Sequence, residues 1–273
     1  MVLYFDAALR NGFSFRVSRF PDRNVTWVWC HVVHDGTLYC YVGHHLPCTA
    51  ERVDPDAERA IYDTPGAHAR FTRSGPSRAL TRLAFSARVN AFKGEGGIEG
   101  PGDTPVVLDG TFQPGHLRSG SPAGRFERTG EIDATLTVGG KTVALKGLAK
   151  AHEQTQTRPR FTTPFTYTML WGRRASLVAL RAKDRRYGNY EDGDRDFPIQ
   201  QFEIGARAPK RAFVATLDDN RTVAGTAETV YNYRVPIFGQ MWQGRIVRAT
   251  VEDHTLVGMI NDWRGDEQQF GLP

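Results

Sequence analysis

Long apolar runs are missing from this chain of 273 residues. No segment approaches the roughly 18 consecutive apolar residues of a membrane-spanning helix, so no membrane span is expected. Helical periodicity is nearly absent. The one fair helix candidate is Val53–Tyr62, with Asp54 as N-cap and Pro55 in the first turn. Cysteine is scarce, and its number is odd: Cys30, Cys40 and Cys48. The opening Met1-Val-Leu-Tyr-Phe-Asp6 has no basic stretch leading into an apolar run, so no signal peptide and a cytoplasmic location are expected. In that setting the three cysteines read as free thiols rather than as a disulfide framework.

Other absences narrow the chemistry. No glycine-rich loop follows a strand and opens a helix, which argues against the common nucleotide cofactors. No serine occupies a nucleophile-elbow context. The two close cysteine pairs of structural zinc sites are missing, so no metal is expected. Asp192-Gly-Asp194-Arg-Asp196, with Glu203 at the twelfth position, mimics a calcium loop, but Phe197 stands where glycine is needed and Pro198 follows. A solvated acidic loop is the plainer reading. The net charge of +5 is spread over mixed arginine and acidic residues, as on a solvated surface. Arg158, Arg160, Arg173, Arg174, Arg181, Lys183, Arg185 and Arg186 are interleaved with Phe161, Phe165, Tyr167 and Trp171, a pattern that can bind single strands. A strand pair would send those residues to opposite faces, so no nucleic-acid partner is expected.

What is present is strand after strand. Asn24–His34 and Thr37–Val42 flank Asp35-Gly36, the strongest short hairpin signal. Gly130–Val138 and Lys141–Gly147 flank Gly139-Gly140. Phe165–Trp171 pairs with Ala175–Arg181 across Gly172–Arg174, and Ala212–Leu217 with Thr222–Val230 across Asp218–Asn220. Gly244–Glu252 and Leu256–Trp263 close around Asp253-His254. Gly94–Pro105 and Gln113–Gly124 read as surface loops. The polar Tyr187–Asp196 is the best boundary between a longer β-rich part, 1–186, and a shorter one, 187–273. Both can close into antiparallel barrels, an all-β fold with the second domain smaller.

Alternation then assigns faces. From the Gly139-Gly140 turn, Ile132, Ala134, Leu136, Val143 and Leu145 share the inward face. The same parity sends Phe126, Arg128, Ala149, Ala151 and Glu153 inward, and Glu127, Lys150 and His152 outward, unless a bulge intervenes. An inward Glu153 is a candidate general acid or base whose pKa burial would raise. Arg128, diagonally across the ladder, would pull it back, and a structural Glu153–Arg128 ion pair is the alternative. Around Asp35-Gly36, His31 falls opposite Cys40 and Trp27 opposite His44, so Trp27, Trp29, His31, Cys40 and His44 share one face. That face reads as packed core or as a ligand wall with His31 able to act as a base.

Tyr4-Phe5-Asp6, Trp27-Val-Trp29, Gly147-x-x-x-x-His152-Glu153 and Tyr167-x-x-x-Trp171-Gly172 together resemble the tandem-lipocalin proteins of the carotenoid-hydratase type, a group that also takes in kievitone-type hydratases and Diels–Alder-type cyclases. The resemblance implies two lipocalin-like barrels, an aromatic-lined pocket and cofactor-independent hydration, isomerisation or cyclisation of a hydrophobic metabolite such as a terpenoid or polyketide. It places His152 and Glu153 at the acid/base position and Trp171 on the following strand. The chain departs from the pattern at Gln154–Thr157, where Trp-Gly often follows the pair. It departs again at Ala175–Arg181, where hydratases carry an acid. Within this reading Tyr167 donates to a developing oxyanion, and Trp27, Trp29 and Trp171 shape the pocket. Tyr233, Trp242, Asp262 and Trp263 are further candidates for binding substrate. The alternative is a carrier that holds a hydrophobic ligand without turning it over.

Overall fold

The computed structural model describes residues 1–48, 53–64, 67–117, 125–154, 164–182, 186–237 and 239–263. They form two compact units, Met1–Leu117 with Pro122–Thr157, and Arg118–Ser121 with Arg158–Pro273. Both are antiparallel sheets closed into rings. Among the described residues no helix is long and apolar enough to cross a membrane.

The first unit contains β1 (Val2–Phe5), β2 (Gly12–Phe20), β3 (Val25–His34), β4 (Thr37–Leu46), β5 (Arg59–Thr64), β6 (Ala69–Ser74), β7 (Arg82–Lys93), β8 (Thr104–Leu117), β9 (Arg125–Val138) and β10 (Lys141–Gln154). Their order is β4-β3-β2-β1-β10-β9-β8-β7-β6-β5. Tyr39↔Lys93 and Cys40↔Phe92 join β4 to the end of β7 and close the ring. The first half of β7 pairs instead with β6, so the β5–β6 hairpin branches off the ring. It returns to β2, where the Phe71 ring stacks on Phe15 at 4.6 Å between centroids.

The β9–β10 ladder runs unbroken from Val138↔Lys141 to Arg125↔Gln154. With no bulge, the side-chain parity set at the Gly139-Gly140 turn holds to its far end. Ile132, Ala134, Leu136 and Leu145 enter the barrel core with Phe13, Phe15, Val28, Cys30, Val32 and Phe85. The expected helix over Val53–Tyr62 does not form. Residues 55–58 make a turn and β5 begins at Arg59. The carbonyls of Asp54, Pro55 and Ala57, which a helix would direct along its own axis, instead accept hydrogen bonds from the buried guanidinium of Arg73. Pairing of β5 with β6 therefore overrides the local helix signal.

The second unit is an up-and-down barrel of β11 (Phe165–Trp171), β12 (Ala175–Ala182), β13 (Arg186–Asp192), β14 (Arg195–Ile204), β15 (Lys210–Leu217), β16 (Thr222–Ile237), β17 (Gln240–Val251) and β18 (His254–Trp263). β11 closes it by pairing with β18 from Phe165↔Trp263 to Trp171↔Val257. The boundary expected between 186 and 187 falls inside this barrel, because β11 and β12 cannot leave the sheet without breaking the ring. Tyr187–Asp196 is no linker either. It is the β13–β14 hairpin, with Tyr190 fully buried. Gln113 opens no loop, since β8 runs to Leu117. Residues 118–124 of that stretch, the Gln154–Thr157 departure beyond Gln154, and Arg158, Arg160, Phe161, Lys183 and Arg185 lie outside the described residues.

Candidate functional site

A cavity of about 550 Å³ opens inside the first unit, where β2 ends, β9 begins and β10 ends. Its walls are largely apolar, with Val17, Phe20, Phe71, Leu80, Leu83 and Phe126 among them. That volume and character suit a small organic ligand. Glu153 and Arg128 both line it, as their inward parity requires.

Glu153 is held by two hydroxyls. Tyr62 donates its phenolic O–H to Oε1 at 2.7 Å, and Ser77 donates its hydroxyl to the same oxygen at 2.8 Å. Oε2 makes no hydrogen bond among the described residues. Ser77 is itself fixed from behind by Arg73, whose Nη1 donates to the Ser77 hydroxyl oxygen and to Pro55 O, each at 2.8 Å. Arg73 is entirely buried, and its guanidinium is held by carbonyls and one hydroxyl. A fixed cation thus orients a hydroxyl, and the hydroxyl orients the carboxylate. Burial raises the Tyr62 phenol above its ordinary value, and the adjacent Glu153 charge raises it further, against the pull of Arg73 and Arg19. Tyr62 therefore keeps its proton as a hydrogen-bond donor.

The Glu153 charge acts on Arg128, against the lowering effect of burial, without the direct ion pair of the alternative reading. Among the described residues no ion pair joins it to Glu153. Its Nη2 donates to the backbone carbonyls of Ser77, at 3.2 Å, and Arg78. Its Nε is buried and makes no hydrogen bond among the described residues. The same short turn at Ser77–Ala79 thus anchors both the carboxylate and the cation of the cavity.

His152, next in sequence to Glu153, faces the other way. Its Nδ1 lies 3.4 Å from Glu127 Oε1, and Arg125 Nε donates to that oxygen at 2.7 Å. Burial and the nearby Arg125 charge pull His152 down to about 4, so it is neutral at neutral pH. Burial works to raise Glu127, but Arg125, His152 and Lys150 outweigh it and hold the carboxyl well below its usual range. The neighbouring acid and base therefore belong to two separate networks on opposite faces of β10.

Of the other residues singled out in the sequence, Trp27, Trp29, His31, Cys40 and His44 do share a face of β3 and β4. It is the face opposite the barrel core, which takes Val28, Cys30, Val32 and Tyr41. His44 is edge-on to Trp27, accepts a hydrogen bond from Trp29 Nε1 at 2.8 Å, and is tied to Glu99 of the 94–103 loop. A break in register between Thr26 and Val28 interrupts the ladder at Trp27, where the turn would have set it opposite His44. Burial pulls His31 down to about 3. Tyr167, Trp171, Tyr233, Trp242 and Trp263 are buried residues of the second barrel on the outer face of its sheet. There Tyr233 donates to Asn261, and Trp242 lies against Phe165 and Trp263. Asp262 faces that barrel's interior.

Tyr62, Ser77 and Arg73 were missed from the sequence. Tyr62 lay in the helix-like stretch, and only β5–β6 pairing brings it to Glu153. Arg19, which also lines the cavity, carried a readable signal, the alternation Phe13, Phe15, Val17, Arg19 along β2.

No family model matches the chain. No curated protein matches it either. Among solved structures, a Nitrosomonas europaea protein described as AttH gives a TM-score of 0.52 at 12% identity, over 93% of this chain and 85% of that one. CghA, solved with Sch210972, gives 0.49 at 8% identity, over 89% of this chain and 85% of that one. At 12% identity the likeness to the Nitrosomonas protein is one of fold. With the two closed antiparallel rings, it defines a lipocalin-like architecture.

Proposed function

We propose that the first-barrel cavity is the active site of a cofactor-independent lyase or isomerase. It would hydrate, isomerise or cyclise a hydrophobic metabolite such as a terpenoid or polyketide. The observation that carries this reading is the grip on one oxygen of Glu153 by Tyr62 and Ser77, with the other oxygen making no hydrogen bond among the described residues in a largely apolar cavity. In the reaction Oε2 takes a proton from substrate carbon, or returns one to it, while Tyr62 and Ser77 steady the carboxylate. Arg128, which lines the same cavity, supplies positive charge beside the oxygen on which negative charge develops. The hydrogen-bonding partner of Glu153 in this scheme is Tyr62 rather than His152 or His31.

The carrier reading uses the same cavity and needs no proton transfer. Glu153→Gln separates the two. It keeps the volume and an acceptor oxygen but cannot act as a base. An enzyme would bind its ligand within about threefold of wild type and lose turnover by about two orders of magnitude or more. Unchanged turnover in a folded Glu153→Gln protein refutes the acid/base role.

A further inference from the structure

Two groups of opposite charge share the first cavity without touching. Glu153 and Arg128 both line it, and each is held by uncharged partners. Tyr62 and Ser77 hold Glu153 by Oε1 alone. The carbonyls of Ser77 and Arg78 hold Arg128 by Nη2 alone. Oε2 of Glu153 and Nη1 of Arg128 make no hydrogen bond among the described residues. Arg128 Nε is enclosed by the protein, whereas Nη1 and Oε2 both keep accessible surface. The cavity therefore presents one open acceptor and one open donor, and Ser77 anchors both: its hydroxyl fixes the carboxylate, and its carbonyl fixes the guanidinium.

The other charged groups of the wall are committed elsewhere. Arg16 donates from Nε to Ser18 and lies over the Trp29 ring at 4.6 Å. Arg19, Asp22 and Arg23 line the cavity where β2 ends, and each has further interactions of its own. The ligand chemistry is accordingly set by Arg128 and Glu153.

Charge and hydrogen bonding together select what can occupy the space beside them. A carboxylate or phosphate ligand would place a second anion next to Glu153, where an apolar wall screens the repulsion poorly. A hydrocarbon would take water from Nη1 and Oε2 and return no hydrogen bond. An uncharged carbonyl compound meets both demands. Its oxygen accepts from Nη1, and the acidic C–H on its α-carbon meets Oε2. Proton transfer then moves one negative charge from Glu153 to the carbonyl oxygen, so the pair of charges is conserved through the step.

We infer that the substrate is an apolar molecule with an enolisable carbonyl, whose oxygen Arg128 binds and whose α-carbon Glu153 deprotonates. The inference rests on the acid/base reading of Glu153 and narrows its substrate class. In the step the α C–H bond breaks and Oε2 takes the proton. The C–H electron pair becomes the C=C bond of an enolate, and the carbonyl π pair moves to the oxygen beside Arg128. Return of the proton to the same carbon gives exchange with solvent, and return to a conjugated carbon gives isomerisation. No oxidant or co-reactant is consumed.

The test uses the full chain in heavy water, with cyclohexanone and β-tetralone as separate apolar ketone probes. Magnetic resonance follows loss of the α-proton signals, and calorimetry reads ketone affinity. Wild type should exchange the α-protons of at least one ketone about tenfold or more faster than buffer. Glu153→Gln should return exchange to the buffer rate with the ketone still bound. Arg128→Met should slow exchange about tenfold or more with a smaller loss of ketone affinity, because the guanidinium acts on charge that develops only as the proton leaves. Arg128→Lys keeps a charge without the planar fork, should retain part of the exchange, and serves if Arg128→Met does not fold. Two wild-type results overturn the inference: ketone bound without exchange, and no saturable binding of either ketone. Full exchange in the Arg128 variants, lost only in Glu153→Gln, also overturns it and leaves the acid/base reading standing. Exchange that persists in Glu153→Gln refutes the acid/base reading itself.

Discussion

Tyr62 and Glu153 are separated by 91 residues in sequence and by 2.7 Å between the phenolic oxygen and Oε1. The contact joins the branch hairpin β5–β6 to the open end of the β9–β10 ladder, far from its turn. It sets a proton-bearing phenol against a carboxylate in an apolar cavity. The catalytic proposal depends on that juxtaposition.

Tyr62→Phe leaves Glu153 with Ser77 as its one hydroxyl donor among the described residues. The lost hydrogen bond is to a charged group, so stability falls by about 1.5–3 kcal/mol. Turnover falls about tenfold or more, while ligand affinity stays within about threefold because the ring is retained. Steady-state kinetics beside chemical denaturation separate these effects. A drop in affinity equal to the drop in turnover would make Tyr62 a wall residue only.

Arg73→Met removes the cation that holds Ser77 and three backbone carbonyls. Those acceptors would be left buried without donors, at a cost of about 3 kcal/mol or more. Lysine offers a point charge in place of a planar fork and should recover less than half of that loss. Urea unfolding midpoints of the two variants provide the measurement, and equal stability of Arg73→Met and wild type contradicts the account.

Acid should weaken the fold before the carboxylates titrate. Burial, with Arg125 adding to it, holds His152 near 4, and burial alone holds His31 near 3, against an ordinary value of 6.5. Below 6.5 the unfolded chain binds protons that the folded one refuses, so stability is complete above that pH and declines as pH falls through the window down to about 4. Each imidazole contributes a slope of up to about 1.4 kcal/mol per pH unit. Glu127 acts in the same direction lower down: its folded pKa is depressed, so its contribution is present above 4.5 and is lost as pH falls further. Unfolding free energy measured from about pH 7 to pH 5 should fall, and the slope should flatten in His31→Asn. A level profile excludes buried neutral histidines.

Gly244→Ala tests the second barrel. A methyl at this position would sit 1.8 Å from the Tyr233 ring, which lies directly over the glycine. The ring must move, and its hydrogen bond to Asn261 goes with it. A loss of about 2 kcal/mol or more is expected in thermal or chemical unfolding. Gly193→Ala has open space around its Cβ and meets only the cost of a positive φ, so it should cost less.

Much of the strand pattern was readable because a two-residue turn sets register, and register sets side-chain faces. Gly139-Gly140 carried Arg128 and Glu153 to the inside and His152 to the outside across a ladder that no bulge interrupts. Asp35-Gly36 put His31 opposite Cys40 in the same way. Alternation distinguishes two faces of a strand but does not say which of them the barrel encloses. Trp27, Trp29, His31, Cys40 and His44 were grouped correctly, yet they stand on the face away from the core. The boundary near residue 187 failed for a related reason. Polar composition marks a solvated hairpin as readily as a linker, and β11 belongs to the second ring through β18, nearly a hundred residues later.

The amino-acid order by itself determined that this protein is built of antiparallel hairpins, where most of them turn, and that Glu153 and His152 point to opposite sides. Those properties follow from φ-permissive turn residues and a side-chain period of two, both local. Only the tertiary structure decided that Tyr62, Ser77 and Arg73 gather behind Glu153, and that Arg207, Arg211 and Arg245 converge on Asp262. Those groupings come from ring closure and from a branching hairpin that brings distant segments together, and no local preference along the chain encodes them.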